Sequence, residues 1–296
     1  MTTLANALPA ASKGCLNLQT RINTLIKLAL EEDVAFGDVT SQSIFDPDHT
    51  SKARIVARQD MVICGIDIAR QVFKRVDPGL RVDLETNDGE AINDGSTVLL
   101  ARGSTISLLT AERVALNFLQ RLSGIATISR RFADAAKATG TGVRVVDTRK
   151  TTPGWRALEK YAVRCGGCFN HRASLSEHVL IKENHITAAG SLTKAVRMAR
   201  DFAPHTAKIE VETENLDDVA EALQAGAEVI MLDNMTPKQI KQAVSMINKA
   251  AIIEISGGVN LATLADYALP GVDVISVGAL THSAPAADFS MLVFNE

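Results

Sequence analysis

The run Asp147-Thr-Arg-Lys-Thr-Thr-Pro-Gly154 sets two cations side by side directly after an apolar strand candidate, Val143–Val146. Neighbouring cations at a strand end repel each other unless an anion is expected there. Arg149 offers a planar fork suited to a carboxylate, and Lys150 a point charge. Pro153-Gly154 then turns the chain sharply. Read alone, the pair is equally a solvated basic loop. Further groups of the same sign stand at Asn170-His171-Arg172 and at Lys182, which ends the apolar run Val179–Ile181. Together these groups suit a ligand carrying more than one negative charge.

The following strand candidates end in acids. Ile209-Glu-Val-Glu ends at Glu212, and Ile230-Met-Leu-Asp-Asn contains Asp233. Carboxylates on neighbouring strand ends can share a Mg²⁺, directly or through water, and can hold sugar hydroxyls. Asp233 is also placed to cap the helix that follows. The last two strand candidates run into glycines, in Ile255-Ser-Gly-Gly-Val259 and Ile275-Ser-Val-Gly-Ala279. Glycine lets backbone N–H groups approach an anion, and loops after the last strands of α/β barrels frequently hold phosphate. Each glycine run alone is equally a tight turn. Cys165-Gly-Gly-Cys168 lacks a second Cys pair, and with His171 it reaches three ligands where structural zinc takes four. A redox pair stays open; the reading preferred here is two small residues in a tight stretch.

These residues need a frame. Strand candidates Val143–Val146, Val179–Ile181, Ile209–Val211, Val229–Leu232, Ile252–Ile255 and Val274–Val277 alternate, from the second on, with helical patterns at Thr193–Asp201, Leu216–Gln224, Pro237–Lys249 and Leu261–Leu269. That alternation predicts a parallel sheet with its chemistry at the C-terminal strand ends. Six strands in so short a stretch fall below the eight of a full barrel, so the barrel is incomplete. Before it, Leu18–Leu30 has helical spacing. Ala53–Ala57, Leu80–Leu84 and Thr97–Ala101 read as strands, and Thr110–Ser123 and Ile125–Ala138 as two helices. The tail Phe289–Phe294 reads as a strand returning to this first domain. The predicted fold class is α/β. An N-terminal α+β domain (1–129, rejoined by 283–296) precedes an incomplete C-terminal α/β barrel (130–282).

Composition narrows the partners. With a net charge of −3, no global basic field exists to collect nucleic acid or an anionic membrane. Met1 to Lys13 does not read as a secretory signal, and no run is long enough for a membrane span. Cys15, Cys64, Cys165 and Cys168 are too few and scattered for a disulfide framework, so a reduced, cytoplasmic protein is expected.

The motifs taken together resemble the quinolinate phosphoribosyltransferase family, also called nicotinate-nucleotide pyrophosphorylase (carboxylating). The resemblance runs from about Glu31 to the C-terminus. It is carried by Glu-Asp-Val-Ala-Phe-Gly-Asp-Val-Thr (32–40), Thr-Ala-Glu-Arg-Val-Ala-Leu-Asn-Phe-Leu (110–119) and Leu-Ser-Gly-Ile-Ala-Thr (122–127). Asp147–Gly154, Asn-His-Arg (170–172), Ile-Lys-Glu-Asn-His (181–185), Met-Leu-Asp-Asn (231–234) and Ile-Ser-Val-Gly-Ala (275–279) complete it. It implies an N-terminal open sandwich, a barrel of fewer than eight strands, and a homodimer with shared active sites, further assembly being left open. It also implies quinolinate and phosphoribosyl pyrophosphate as substrates, with Mg²⁺. By resemblance, Arg149, His171, Arg172 and Lys182 look like quinolinate ligands, with Arg113 donated by the partner subunit. Lys150, Glu212 and Asp233 look catalytic, the last two on the ribose and metal side. Ser256, Gly257, Gly278 and His282 fall at the phosphate end. Trp155 and the Cys165–Cys168 stretch depart from the family pattern without touching an essential charge. Two other readings compete: a molybdenum-transport-associated paralogue of the same architecture, and a non-catalytic sensor of phosphoribosyl ligands.

Overall fold

A computed structural model describes residues 18–294; the leader reading of Met1–Lys13 and Cys15 lie outside the described residues. The chain divides into two units. One takes the described residues up to Ile128, then Pro153–Gly167 and the chain from Ala284 on; the other takes Ser129–Thr152 and Cys168–Ser283. A single cut near residue 130 therefore misses one excursion, since residues 153–167 pack with the first unit.

The first unit opens with helices α1 (Leu18–Val34) and α2 (Val39–Ile44), the latter capped by the Asp38 side chain. Strands β1 (Thr50–Ala57), β2 (Met61–Val62), β3 (Arg81–Leu84), β4 (Ala91–Ile92) and β5 (Thr97–Ser104) follow, with α3 (Ile66–Val76) between β2 and β3. The sheet order is β12-β1-β5-β3, where β12 is Phe289–Phe294. The tail therefore returns to β1, pairing antiparallel from Lys52↔Phe294 to Ala57↔Phe289. In β1 the two-residue alternation buries Ala53 and Ile55 and exposes Arg54, until a register shift at Ile55/Val56 after which Val56 and Ala57 are both buried.

The two helices expected over 110–138 are one helix, α4 (Thr105–Ala138). Gly124, which falls between the two expected helices, serves close approach. A β-carbon there would lie 2.0 Å from Pro285 O, and the crossing segment is fixed by Ala287 N–H donating to Gln120 O at 2.9 Å. Helix α5 (Arg156–Cys165) carries Glu159, buried and accepting from Arg121 Nη2 at 2.7 Å. Trp155 stacks on buried Phe118, with ring centroids 4.8 Å apart.

The second unit is the predicted six-stranded parallel sheet: β6 (Arg144–Val146), β7 (Val179–Ile181), β8 (Ile209–Thr213), β9 (Val229–Asp233), β10 (Ile252–Ser256) and β11 (Val274–Ser276). Its order is β6-β11-β10-β9-β8-β7. The chain bends this open sheet toward closure. Phe169 bridges in parallel to Val146 at one edge, and two residues later His171 reaches Glu210 on β8, next to the other edge. The architecture is an incomplete α/β barrel. Its helices are α6 (Glu183–Ala189), α7 (Leu192–Phe202), α8 (Leu216–Gln224), α9 (Pro237–Ile247), α10 (Leu264–Tyr267) and α11 (Ala279–His282). The helix expected over Leu261–Leu269 is thus a single turn. Among the described residues no helix is long and apolar enough to cross a membrane.

Candidate active site

Eleven of the twelve residues singled out from sequence lie in the second unit, most at or just past the C-terminal ends of its strands, with His171 and Arg172 just after the Phe169 bridge and His282 at the end of α11; Arg113 alone lies in the first, exposed on α4. Parallel strands aim their C-terminal ends the same way, so one rim collects them. On that rim Lys182, just after β7, forms an ion pair with Glu212 on neighbouring β8. Asp233, ending β9, is in register with Ser256, ending β10. Neither acid is spent on a helix cap: Asn215 caps α8 and Thr236 caps α9. The capping alternative for Asp233 is therefore removed. Its Oδ2 accepts from Asn234 Nδ2 at 2.8 Å. Asn234 takes a positive φ of 54° and packs against Gly257, where a β-carbon would lie 2.1 Å from Asn234 Oδ1.

The loop after β6 is tied to the end of β11. Thr281 Oγ1 donates to Lys150 O at 2.7 Å. A β-carbon on Gly278 would lie 3.2 Å from Lys150 Cδ and 3.1 Å from His282 Nε2, so glycine lets both side chains converge. His282 Nδ1 lies 2.5 Å from Ser283 Oγ.

Asp147, fully buried, organises the other side. Its carboxylate accepts from Asn170 Nδ2 at 2.6 Å and from His171 N–H at 3.0 Å, fixing the Asn-His-Arg segment beside β6. Arg172 is 8% exposed, donates from Nη1 to His178 O at 2.9 Å, and has a buried Nε with no hydrogen-bond acceptor among the described residues. Burial and the nearby Arg149 charge lower its pKa, with Glu210 and Glu177 opposing. A cation held under those conditions is suited to an anionic partner.

Sequence reasoning missed the layer beneath. Glu210 and Glu254 stand in the middle of apolar strands, two residues before Glu212 and Ser256, on the same strand faces as those residues. His171 Nε2 lies 3.3 Å from Glu210 Oε2 and 3.5 Å from Glu254 Oε1, and His178 Nε2 lies 2.9 Å from Glu210 Oε2. Burial would push Glu210 up, but its bonds and charge contacts with the two imidazoles outweigh that and bring its pKa down to about 2. Burial and the Glu210 charge push Glu254 up to about 7. A charged residue inside an apolar run was the available signal.

His171, His178 and Glu210 are close enough to invite a metal. The hydrogen bonding argues otherwise. His171 Nδ1 accepts from Arg172 N–H at 2.9 Å, so the neutral ring carries its proton on Nε2, the atom a metal would need. Glu212 and Asp233, hard oxygen donors on the open rim, fit Mg²⁺ better. The Cys165/Cys168 pair does not form a site. Cys168 Sγ donates to Ser129 O, while Cys165 lies in the first unit near Cys64 and Asp88. Asp88 already accepts from Gly65 N–H, Ile66 N–H and Tyr161 O–H.

Known proteins resemble this chain over nearly its whole length. Residues 38–123 match the family model of the quinolinate phosphoribosyl transferase N-terminal domain, and residues 125–292 that of the C-terminal domain. A probable nicotinate-nucleotide pyrophosphorylase [carboxylating] from Synechocystis sp. is 43% identical over 96% of both chains. A quinolinate phosphoribosyltransferase [decarboxylating] from Nicotiana tabacum is 38% identical over 93% of this chain and 83% of its own. The crystal structure of NadC from Streptococcus pyogenes superimposes with a TM-score of 0.88 at 41% identity, covering 93% of this chain and 98% of that one.

Proposed function

The chain belongs to the quinolinate phosphoribosyltransferase family, and from that premise we propose how its residues share the work. The reaction joins quinolinate to the ribose of phosphoribosyl pyrophosphate and releases pyrophosphate and CO₂, giving nicotinate mononucleotide for NAD biosynthesis. The observation that carries the assignment of roles is Arg172, buried beside Arg149 and holding a donor without an acceptor. Arg149, Arg172 and Lys182 bind the two carboxylates; His171 orients them from below; Arg113 comes from the partner subunit of a homodimer, a shared-site reading that rests on the family resemblance.

The pyridine nitrogen attacks the anomeric carbon as pyrophosphate leaves. Glu212 and Asp233 face the positive charge that develops on the ribose and hold its hydroxyls. Lys150 and His282, brought together over Gly278, face the phosphate groups with Ser256 and Gly257. Mg²⁺ bound by Glu212 and Asp233 would neutralise pyrophosphate as a leaving group. After N-ribosylation the 2-carboxylate departs as CO₂ and leaves its bond pair on C2, stabilised by the adjacent cationic ring nitrogen; a proton from water then fills C2. Much of the rate comes from holding two ligands in one geometry. Four cysteines, too few and scattered for a disulfide framework, support a reducing compartment, the cytoplasm.

Turnover assays with quinolinate and nicotinate as alternative substrates test this reading. Quinolinate should give nicotinate mononucleotide and nicotinate should react poorly, because a pocket built for two carboxylates leaves a cation unpaired. Equal turnover of nicotinate would remove the carboxylate roles. Chelation should abolish activity, and Mg²⁺ or Mn²⁺ should restore it where Zn²⁺ does not; full activity without a divalent ion would remove the metal role.

A further inference from the structure

Four contacts close a ring through Arg172. Its backbone N–H donates to His171 Nδ1 at 2.9 Å. His171 Nε2 lies 3.3 Å from Glu210 Oε2. His178 Nε2 lies 2.9 Å from that same oxygen. The backbone oxygen of His178 accepts from Arg172 Nη1 at 2.9 Å, which returns the ring to its start. Both the backbone and the guanidinium of Arg172 are therefore tied to one buried carboxylate through two imidazole-bearing residues.

The ring determines which edge of the guanidinium remains for a ligand. Nη1 is spent on His178 O, and Nε is buried with no acceptor among the described residues. A guanidinium presents its N–H groups in a rigid planar fork, so the Nε–Nη2 edge matches the two oxygens of a carboxylate. A buried donor without an acceptor is costly until one arrives. Fixing a long side chain before the ligand binds also removes an ordering cost from binding. Glu210 suits this task by its chemistry. A carboxylate in the middle of an apolar strand is tolerated only when its oxygens are satisfied, and two imidazoles on one carboxylate lock three side chains together.

We infer that Glu210 and His178 are positioning residues for the dicarboxylate: through the ring they hold Arg172 so that its Nε–Nη2 edge receives one carboxylate side-on. The inference rests on the proposed role of Arg172 as a quinolinate ligand. It adds two residues that touch no substrate and specifies the edge by which the third does.

Calorimetry and steady-state kinetics on His178→Ala, His178→Gln and Glu210→Gln test it. Gln keeps an N–H able to reach Glu210; Ala does not. His178→Ala should raise the quinolinate KM and Kd roughly tenfold. Its kcat at saturating quinolinate and its affinity for phosphoribosyl pyrophosphate with Mg²⁺ should stay within about twofold of wild type. His178→Gln should recover most of the loss. Glu210→Gln, which keeps the side-chain shape and removes the charge, should show the same split and decides the matter if His178→Ala does not fold. Wild-type quinolinate affinity in the folded variants, or equal loss for both ligands, overturns the inference while leaving the reaction assignment standing. A wild-type protein that binds no quinolinate overturns the proposed role of Arg172, and the inference with it.

Discussion

Glu254 and Glu210 meet at one imidazole nitrogen: His171 Nε2 lies 3.5 Å from Glu254 Oε1 and 3.3 Å from Glu210 Oε2. Burial and the Glu210 charge raise the Glu254 pKa from 4.5 to about 7, against opposing contributions from His171, Ser276 and Lys182. Between those values the folded protein keeps a proton that the unfolded chain releases, so Glu254 makes stability fall as pH rises through this window. Glu254→Gln cannot ionise. Its stability relative to wild type should improve by on the order of 2–3 kcal/mol between pH 4.5 and pH 8. Urea unfolding at the two pH values measures this; an unchanged difference would mean that Glu254 is not held protonated.

Arg149→Ala and Arg172→Ala should chiefly damage quinolinate use, lowering kcat/KM by roughly ten- to a hundredfold. Arg172→Lys should not restore it, because an ammonium has no fork. Binding of phosphoribosyl pyrophosphate should survive better in all three. Calorimetry showing wild-type quinolinate affinity in these variants would remove the assignment.

Gly124→Ala tests a structural claim. In an exposed helix the change would stabilise by about 1 kcal/mol. Here the new β-carbon would lie 2.0 Å from Pro285 O, so the segment crossing α4 must move. The expected result is a loss of about 1–3 kcal/mol, read as a lowered Tm. A raised Tm would show that the crossing is not tight.

If each pocket takes Arg113 from the partner subunit, Arg113→Ala and Lys150→Ala homodimers should both be nearly inactive. Random pairing of the two variants gives about half heterodimers, and each contains one intact site and one that lacks both groups. Roughly a quarter of wild-type activity should therefore return on mixing. No recovery, with heterodimers confirmed by native mass spectrometry, would place Arg113 in its own chain's pocket.

The sequence carried the strand ends well because the chemistry and the period agree there. An apolar run closing on Lys182, Glu212, Asp233 or Ser256 states both a buried strand and a polar exit. What was illegible depends on distant partners. Gly124 reads as a break unless Pro285 is known to cross it. Helix α3, whose Ile66, Ala69, Val72 and Phe73 are buried at helical spacing, has its first N–H groups satisfied by Asp88, twenty-two residues beyond Ile66. The Cys165/Cys168 spacing looks local, yet each thiol belongs to a different unit. Glu210 shows only as a charge in an apolar run; its meaning comes from His171 and His178, which the fold brings to it.

The most direct test of the whole assignment is the fate of the 2-carboxylate. Quinolinate labelled with ¹³C at that carbon, incubated with phosphoribosyl pyrophosphate and Mg²⁺, should release labelled CO₂ and pyrophosphate in equal amounts, leaving nicotinate mononucleotide without label. Pyrophosphate formed without labelled CO₂, or a nucleotide product that keeps the label, would contradict a decarboxylating phosphoribosyl transfer at this site.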